Sequence, residues 1–401
     1  MIRYNDALKK VKNEFNKLKL KNEKVELLNS INRILAEDIY ADTDQPKFTN
    51  SAMDGYAINY VKGINEWNII GEISAGGFKN YRVKPGEAVL IMTGSRIPSG
   101  ANTVIPVEDI IIERGKIKYL INRPLIKGMN IRYRGEDIKK GTLIIKKGTV
   151  LKSNNITLAA SCGKSSIKVI KKLKIGVIAT GNELVDINII PKEDKIRASN
   201  LYSMLTAVSE MNMEPVTFGI IEDNKEKIKK SLTNALSTGI DILLTTGGVS
   251  AGKYDYLNTI FKESGIKIIF SKVNIKPGKP IVFGVYNKNG KRVLVFGLPG
   301  NPVSCYVNFI LFVRNVIMDS LSMNGISNIK AVLNVTLKKK DNKRHFVRGI
   351  LNNKDGINYV SPVGSQSSAN IGGLNKANAL IVFEENKKIL KRGSKAECIM
   401  I

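Results

Sequence analysis

Lys174-Ile175-Gly176-Val177-Ile178-Ala179-Thr180-Gly181-Asn182-Glu183-Leu184 is the stretch on which the fold of this chain turns. An apolar run of strand length stops at a glycine, the pattern of a parallel strand buried on both faces. Further apolar strands are expected at 216–221, 240–246 and 292–296, the last two again meeting a glycine. Helical periods fall between and after them, near 199–211, 225–236, 256–263 and 302–318. Strand–helix alternation at this spacing predicts a doubly wound parallel α/β sheet.

The flanks read differently. Leu8, Val11, Phe15 and Leu18 recur at helical steps behind the cap candidates Asn5 and Asp6, and a second short helix is expected around 24–35. After Asp42-Thr43-Asp44-Gln45-Pro46 the pattern changes to short strands, such as 88–92 and 104–107, punctuated by Gly and Pro up to Gly141. That is a β-rich domain. The segment 142–172 is mixed. Beyond Asn328 the alternating stretches 331–337, 346–351, 357–362 and 379–383 predict a small, barrel-like antiparallel β domain. The expected partition is therefore 1–42, 43–141, 142–172, 173–325 and 326–401.

Composition narrows the function. At 401 residues the chain is too long for one core, and 43% hydrophobic with 24% charged residues excludes disorder as a class. No apolar run reaches the roughly 18–20 residues that would cross a bilayer, and Met1-Ile2-Arg3-Tyr4-Asn5-Asp6 lacks a secretory core. Three scattered cysteines and one histidine argue against a disulfide framework, a zinc cluster and a Ser-His-Asp triad. A reduced, cytoplasmic protein is expected. Lys plus Arg outnumber Asp plus Glu 63 to 35, a net charge of +28. This field favours anionic partners, but its lysines are dispersed and no nucleic-acid motif accompanies them, so neither a specific nucleic acid nor a membrane is expected.

Ligands of an open parallel sheet bind beyond the carboxyl ends of its strands. There the chain places Gly181-Asn182-Glu183, then Gly247-Gly248-Val249-Ser250-Ala251-Gly252, then Gly297-Leu298-Pro299-Gly300-Asn301-Pro302. Glycines admit a ligand close to the backbone, and free N–H groups at a helix start hold oxyanions. Glu183, Asp223 and Asp255 accompany these turns, each either a helix cap or a ligand of a hard cation such as Mg²⁺. In Ile275-Lys276-Pro277-Gly278-Lys279-Pro280 the two lysines sit on stiffened backbone, as a cationic clamp or a solvated loop. The β-rich domain carries Asn50-Ser51-Ala52-Met53-Asp54-Gly55-Tyr56-Ala57, Met92-Thr93-Gly94-Ser95 and Arg132-Tyr133-Arg134-Gly135-Glu136-Asp137. Together these residues suggest a metal-assisted reaction on a phosphorylated, anionic small molecule.

In their order along the chain, these motifs resemble those of the MoeA family of molybdopterin molybdotransferases, to which the gephyrin E domain is related. The resemblance covers nearly the whole chain. It implies a four-domain, L-shaped homodimer, with 1–42 and 142–172 forming one discontinuous domain and 173–325 a MogA-like molybdopterin-binding domain. It implies insertion of molybdate, or tungstate, into adenylylated molybdopterin supplied by an upstream adenylyltransferase, with Mg²⁺-dependent release of AMP. By motif, Asp54, Thr93, Asp137, Glu183, Asp223 and Asp255 would be catalytic, with Glu183, Asp223 and Asp255 holding the metal. Gly247, Gly248 and Ser250 would cradle the pterin phosphate, Lys276 and Lys279 would bind anion, and Pro299 and Pro302 would shape the facing loop. Ser95 stands where the family often has Ala. The carboxyl-terminal domain offers no site motif. A molybdopterin adenylyltransferase, a gephyrin-like scaffold and a polyanion binder are the competing readings. The Asp54 and Thr93 loops argue against the first, since such an enzyme needs only the doubly wound domain.

Overall fold

The computed structural model describes residues 1–77, 79–121, 124–247, 254–288, 290–323 and 328–401, with the side chains of 254–256 outside that description. Its centre is a six-stranded sheet in the order Glu214–Ile221, Lys174–Thr180, Ile242–Thr246, Lys291–Leu298, Pro280–Lys288, Ile266–Lys272. The first four strands run parallel. The last two extend the sheet antiparallel. These two were not expected. Their apolar residues are broken by lysine, glycine and proline, so only the tertiary pairing makes them strands.

Both faces of the sheet are buried, and side chains alternate between two cores. Ile175, Val177, Leu244 and Phe296 point to one, while Ile178, Leu243, Val293 and Val295 point to the other. Helix Ser199–Glu210 and the segments Pro302–Asn308, Phe309–Arg314 and Asn315–Ser320 cover the first face. The middle one of these segments is a π-helix. The continuous helix Pro302–Ser320 has the length and mean hydropathy of a membrane span. Its apolar residues, among them Val303, Val307, Phe309 and Phe312, are packed into the α/β core. Lys225–Ser237 and Tyr254–Glu263 cover the second face.

Helix Tyr4–Phe15 sends Tyr4, Ala7, Val11 and Phe15 into that first core. The Tyr4 ring meets Phe312 and Phe346 edge-on, with centroids 5.6 and 5.1 Å away. Asn5 and Asp6 do not cap this helix. Arg3 occupies the cap position, Asp6 lies in the first turn, and the Asn5 amide oxygen accepts a hydrogen bond from Arg344. The helix expected over 24–35 is also absent. Asn22–Glu26 is a strand paired with Ser166–Ile170, followed by a 3₁₀ turn, Leu27–Ser30. Leu28, part of the apparent helical face, is 83% exposed, so no neighbour rewards a helix there. Leu35, Ile39, Ile145, Leu151, Ala159, Ile167 and Val169 form a small separate core.

The β-rich part is a second six-stranded sheet, ordered Thr103–Pro106, Gly55–Ile58, Glu87–Ile91, Glu66–Ile73, Lys116–Tyr119, Ile110–Glu113, over a core around Trp67. At the carboxyl end, Arg344–Lys354, Ile357–Pro362, Asn328–Leu333, Lys395–Met400 and Ala379–Phe383 pair in turn, and the last pairs back with the first. This closed barrel leaves no edge among its five strands. One short parallel pair, Ile275–Lys276 beside Arg344–His345, ties it to the α/β part.

Candidate active site

The chain leaves Lys174–Thr180 toward one side of the sheet and returns to place Ile242–Thr246 on the other, making these neighbours a topological switch point. Their turns close on each other. A Cβ on Gly247 would lie 2.1 Å from the Thr180 carbonyl oxygen, and Gly247 has φ +97°, so only glycine fits there. A Cβ on Gly300 would lie 3.5 Å from the Gly247 Cα, which brings the third expected turn to the same place. The Gly247 N–H donates to the Leu298 carbonyl at 3.3 Å, and the Asn200 amide donates to the Gly300 carbonyl at 2.7 Å. Asn200 carried no signal of its own in the sequence. Pro299 is buried behind this loop, while Pro302 begins the next helix under an Asn301 cap that accepts from the Ser304 N–H at 3.3 Å.

Carboxylates stand on the same edge. Glu183 is exposed and folds back over Gly181, whose N–H donates to the Ile221 carbonyl at 3.1 Å. Two residues beyond Ile221, the Asp223 N–H donates to the Asn182 side chain at 2.9 Å. The pairing of their parent strands thus brings the loops bearing Glu183 and Asp223 to the same sheet edge. Asp255 follows in helix Tyr254–Glu263, with its side chain outside the described residues. Gly248 and Ser250 also lie outside them. Among the described residues, no three acidic, histidine or cysteine side chains are grouped as a complete metal cage. The donors available are all oxygen. That fits Mg²⁺, which commonly takes one or two carboxylates and completes its shell with water and substrate phosphate.

Lys276 and Lys279 face a cleft of about 1340 Å³ between the α/β part and the barrel. Gly278, between them, has φ +89° and stacks tightly on Asn308, a fully buried side chain whose amide donates to the Gly278 carbonyl at 3.0 Å. Asn308 therefore fixes the lysine loop from beneath. Ser304, Lys343, His345 and Ser367 line the cleft as well. His345 Nε2 lies 2.7 Å from Asp341 Oδ1. Burial pushes the imidazole pKa down, and the nearby Asp341 opposes that shift. A site wall in the carboxyl-terminal domain was not expected. Its cue was the Lys338–Lys340 run, which by itself looks like a solvated tract.

The second set of residues sits on the β-rich sheet. The Asp54 Oδ1 accepts from the Thr93 N–H at 2.6 Å and from the Thr93 hydroxyl at 2.7 Å. The Thr93 backbone N–H first, and its hydroxyl second, hold this exposed carboxyl below the usual aspartate range. Backbone bonds stitch the loops together: Ser51 N–H to Ser95 carbonyl at 3.0 Å, and Gly94 N–H to Ser51 carbonyl at 2.8 Å. Ile131–Arg132 pairs with Asn50–Ser51, which places the loop bearing Asp137 beside them. Asp137 is exposed, and its N–H donates to the Gln45 carbonyl at 3.1 Å. Nearby, the Lys140 N–H and then Arg134 hold Asp44 low in pKa.

Comparison with known proteins agrees along the whole length. Residues 2–163 match the family model of the MoeA N-terminal region (domain I and II), 176–319 that of a probable molybdopterin binding domain, and 330–401 that of the MoeA C-terminal region (domain IV). The chain is 34% identical over 390 residues to a molybdopterin molybdenumtransferase of Bacillus subtilis (strain 168), covering 94% of this chain and 90% of that protein. It is 32% identical over 379 residues to one from Haemophilus influenzae, covering 92% of each. A crystal structure of a molybdopterin biosynthesis MoeA protein from Pyrococcus horikoshii superposes with a TM-score of 0.84 at 29% identity, over 100% of this chain and 99% of that one. On this agreement of all three regions, of relatives and of fold, the chain belongs to the MoeA family of molybdopterin molybdenumtransferases.

Proposed function

We propose that this chain inserts molybdenum from molybdate into adenylylated molybdopterin and releases AMP. The observation that carries this reading is the convergence of Thr180, Gly247 and Gly300 at the switch point, with the Glu183 and Asp223 loops on the same sheet edge. Glycine backbone leaves room for a pterin phosphate, and exposed carboxylates beside it suit a phosphoanhydride. Glu183, Asp223 and Asp255 would hold Mg²⁺, which when bound supplies charge neutralisation for phosphoanhydride cleavage. Lys276 and Lys279 attract the molybdate dianion, with Ser304 on the wall of the same cleft. Tungstate, another tetrahedral dianion, meets the same groups.

The protein's own sulfur stays out of the reaction. Cys162, Cys305 and Cys398 are buried and unpaired. Burial pushes the Cys305 thiol far up and the Cys398 thiol to about 11, so neither competes as a thiolate for the metal delivered to the substrate. Unpaired thiols fit a cytoplasmic enzyme. Asp54 and Thr93 flank strands of the β-rich sheet, and Asp137 lies on a loop beside them, all apart in the chain from the switch-point strands. A two-fold dimer in which the β-rich part of one protomer faces the α/β part of its partner completes the site. An upstream adenylyltransferase supplies the substrate. The test is Lys276→Ala: its rate should fall at limiting molybdate and recover as molybdate is raised. A variant that never recovers, or never falls, removes Lys276 from the oxyanion site.

A further inference from the structure

His345 is the chain's single histidine. Strand Ile275–Lys276 runs parallel to Arg344–His345, with Lys276 and His345 as direct partners in the register. Both line the same cleft. The imidazole is held in place there. Its side chain is 14% exposed, its Nε2 lies 2.7 Å from Asp341 Oδ1, and the Phe383 ring meets it edge-on with centroids 6.2 Å apart.

That arrangement fixes which nitrogen does what. Burial works against the Asp341 carboxylate, but the Lys343 N–H at 3.1 Å and the His345 ring outweigh it, and its pKa stays below the usual range. An ionised carboxylate only accepts, so Nε2 carries the hydrogen and the lone pair belongs to Nδ1. Burial lowers the imidazole pKa, Asp341 opposes that shift, and Lys339 and Lys276 add to it. Strand Ala379–Phe383 brings no charged residue to the ring. At neutral pH the imidazole is therefore uncharged. A site built only to attract a dianion would gain from another cation at this position, and a neutral ring adds no attraction. A neutral ring with a free nitrogen is a proton acceptor.

The insertion has a proton to move. Molybdopterin takes the metal through a pair of thiols. Two S–H bonds break, and their electron pairs form two Mo–S bonds. One oxo oxygen of molybdate leaves with both protons as water. Molybdenum keeps its oxidation state, so no oxidant or reductant takes part.

We propose that His345 carries the proton of this exchange: Nδ1 takes it from a pterin thiol, and the imidazolium, steadied by Asp341, gives it to the oxygen leaving molybdenum. The proposal rests on the reading of Lys276 and Lys279 as molybdate ligands. The ring ends each transfer as it began.

The experiment uses the full-length, untagged protein, in which one residue gives the whole histidine signal. Nitrogen NMR of the isotopically labelled ring should show hydrogen on Nε2 at neutral pH, and a titration below the ordinary histidine range. Single-turnover insertion should lose rate as pH falls through that same titration, because protonated His345 cannot take the thiol proton. His345→Gln should slow the step about 10²-fold and abolish this acid limb, as loss of a general acid–base group does. Its molybdate Kd, from equilibrium dialysis, should stay near wild type. Added imidazole should recover part of the rate of His345→Ala. Asp341→Asn should slow the step and move both the NMR titration and the acid limb to lower pH.

Hydrogen on Nδ1, or a wild-type rate and an intact acid limb in His345→Gln, overturns the proposal. A raised molybdate Kd with an unchanged rate at saturation would make His345 an electrostatic neighbour of the anion, and overturns it as well. So does a slowed His345→Ala that imidazole leaves slow and whose unfolding midpoint has dropped, since the ring then only supports the fold. Unaltered molybdate affinity in Lys276→Ala removes the oxyanion reading beneath, a failure seen in binding before any rate is measured.

Discussion

Asp54 and Thr93 are joined twice through a single oxygen: Asp54 Oδ1 takes both the backbone N–H and the hydroxyl of Thr93. The two residues come from different strands' ends, so the pair locks two loops at one point. It also keeps Asp54 ionised at lower pH than an ordinary aspartate. Because the folded-state pKa is depressed, the contribution to stability is present above the unfolded pKa and is lost as pH falls through the folded value. Thr93→Val keeps the N–H and loses the hydroxyl. The Asp54 titration, followed by carboxyl-carbon NMR, should move up toward the usual range, and less stability should be lost over that acid window. An unmoved titration would mean that the hydroxyl bond contributes nothing in solution.

Asp255→Asn changes charge at constant size in the first turn of helix Tyr254–Glu263. As a metal ligand, Asp255 should cost about 10²-fold in AMP release at limiting Mg²⁺ when replaced. Circular dichroism and thermal unfolding should stay near wild type, because Asn serves nearly as well as Asp near a helix start. Normal AMP release would assign Asp255 to capping.

Gly247→Ala meets two obstacles, a φ of +97° and a Cβ 2.1 Å from the Thr180 carbonyl. Gly290→Ala meets only the first, since its φ is +73° and nothing lies within 4 Å of the added carbon. The Gly290 change should cost about 1 kcal/mol. The Gly247 change should cost about 2–4 kcal/mol, because backbone must also move at the crevice. Urea unfolding compares the two directly, and equal costs would contradict the close approach of the two turns.

The central strands of the switch-point sheet were legible because Lys174–Thr180, Ile242–Thr246 and Lys291–Leu298 carry apolar runs that meet a glycine, a pattern that burial on both faces favours. Strands Ile266–Lys272 and Pro280–Lys288 escaped notice because lysine, serine and proline break their apolar pattern, although they pair as antiparallel neighbours in succession up to Lys291–Leu298. Asn22–Glu26 looked helical because local period cannot foresee Ser166–Ile170 as a partner. At the site, the glycines, acids and lysines of the loops carried their own chemistry. Asn308 and Ser367 did not. Their meaning comes from what they touch across long stretches of chain: Gly278 for Asn308, and the lysine cleft for Ser367.

Asp54→Asn and Asp255→Asn should complement one another if each site is built from two protomers. After subunit exchange, a mixed dimer holds one site with both lesions and one with neither. Random exchange makes about half of the dimers mixed, so roughly a quarter of wild-type activity should return. If both lesions act within one protomer, every site keeps one and the mixture stays inactive. Native mass spectrometry of tagged chains confirms that mixed dimers have formed.

The most direct measurement supplies the purified chain with adenylylated molybdopterin, molybdate and Mg²⁺, and follows molybdenum cofactor and AMP together. The account predicts that the two products appear in equal amounts, that omitting molybdate or Mg²⁺ stops both, and that Asp255→Asn loses both. AMP release without cofactor, cofactor formation that ignores Mg²⁺, or no product of either kind from the folded wild-type chain would contradict it.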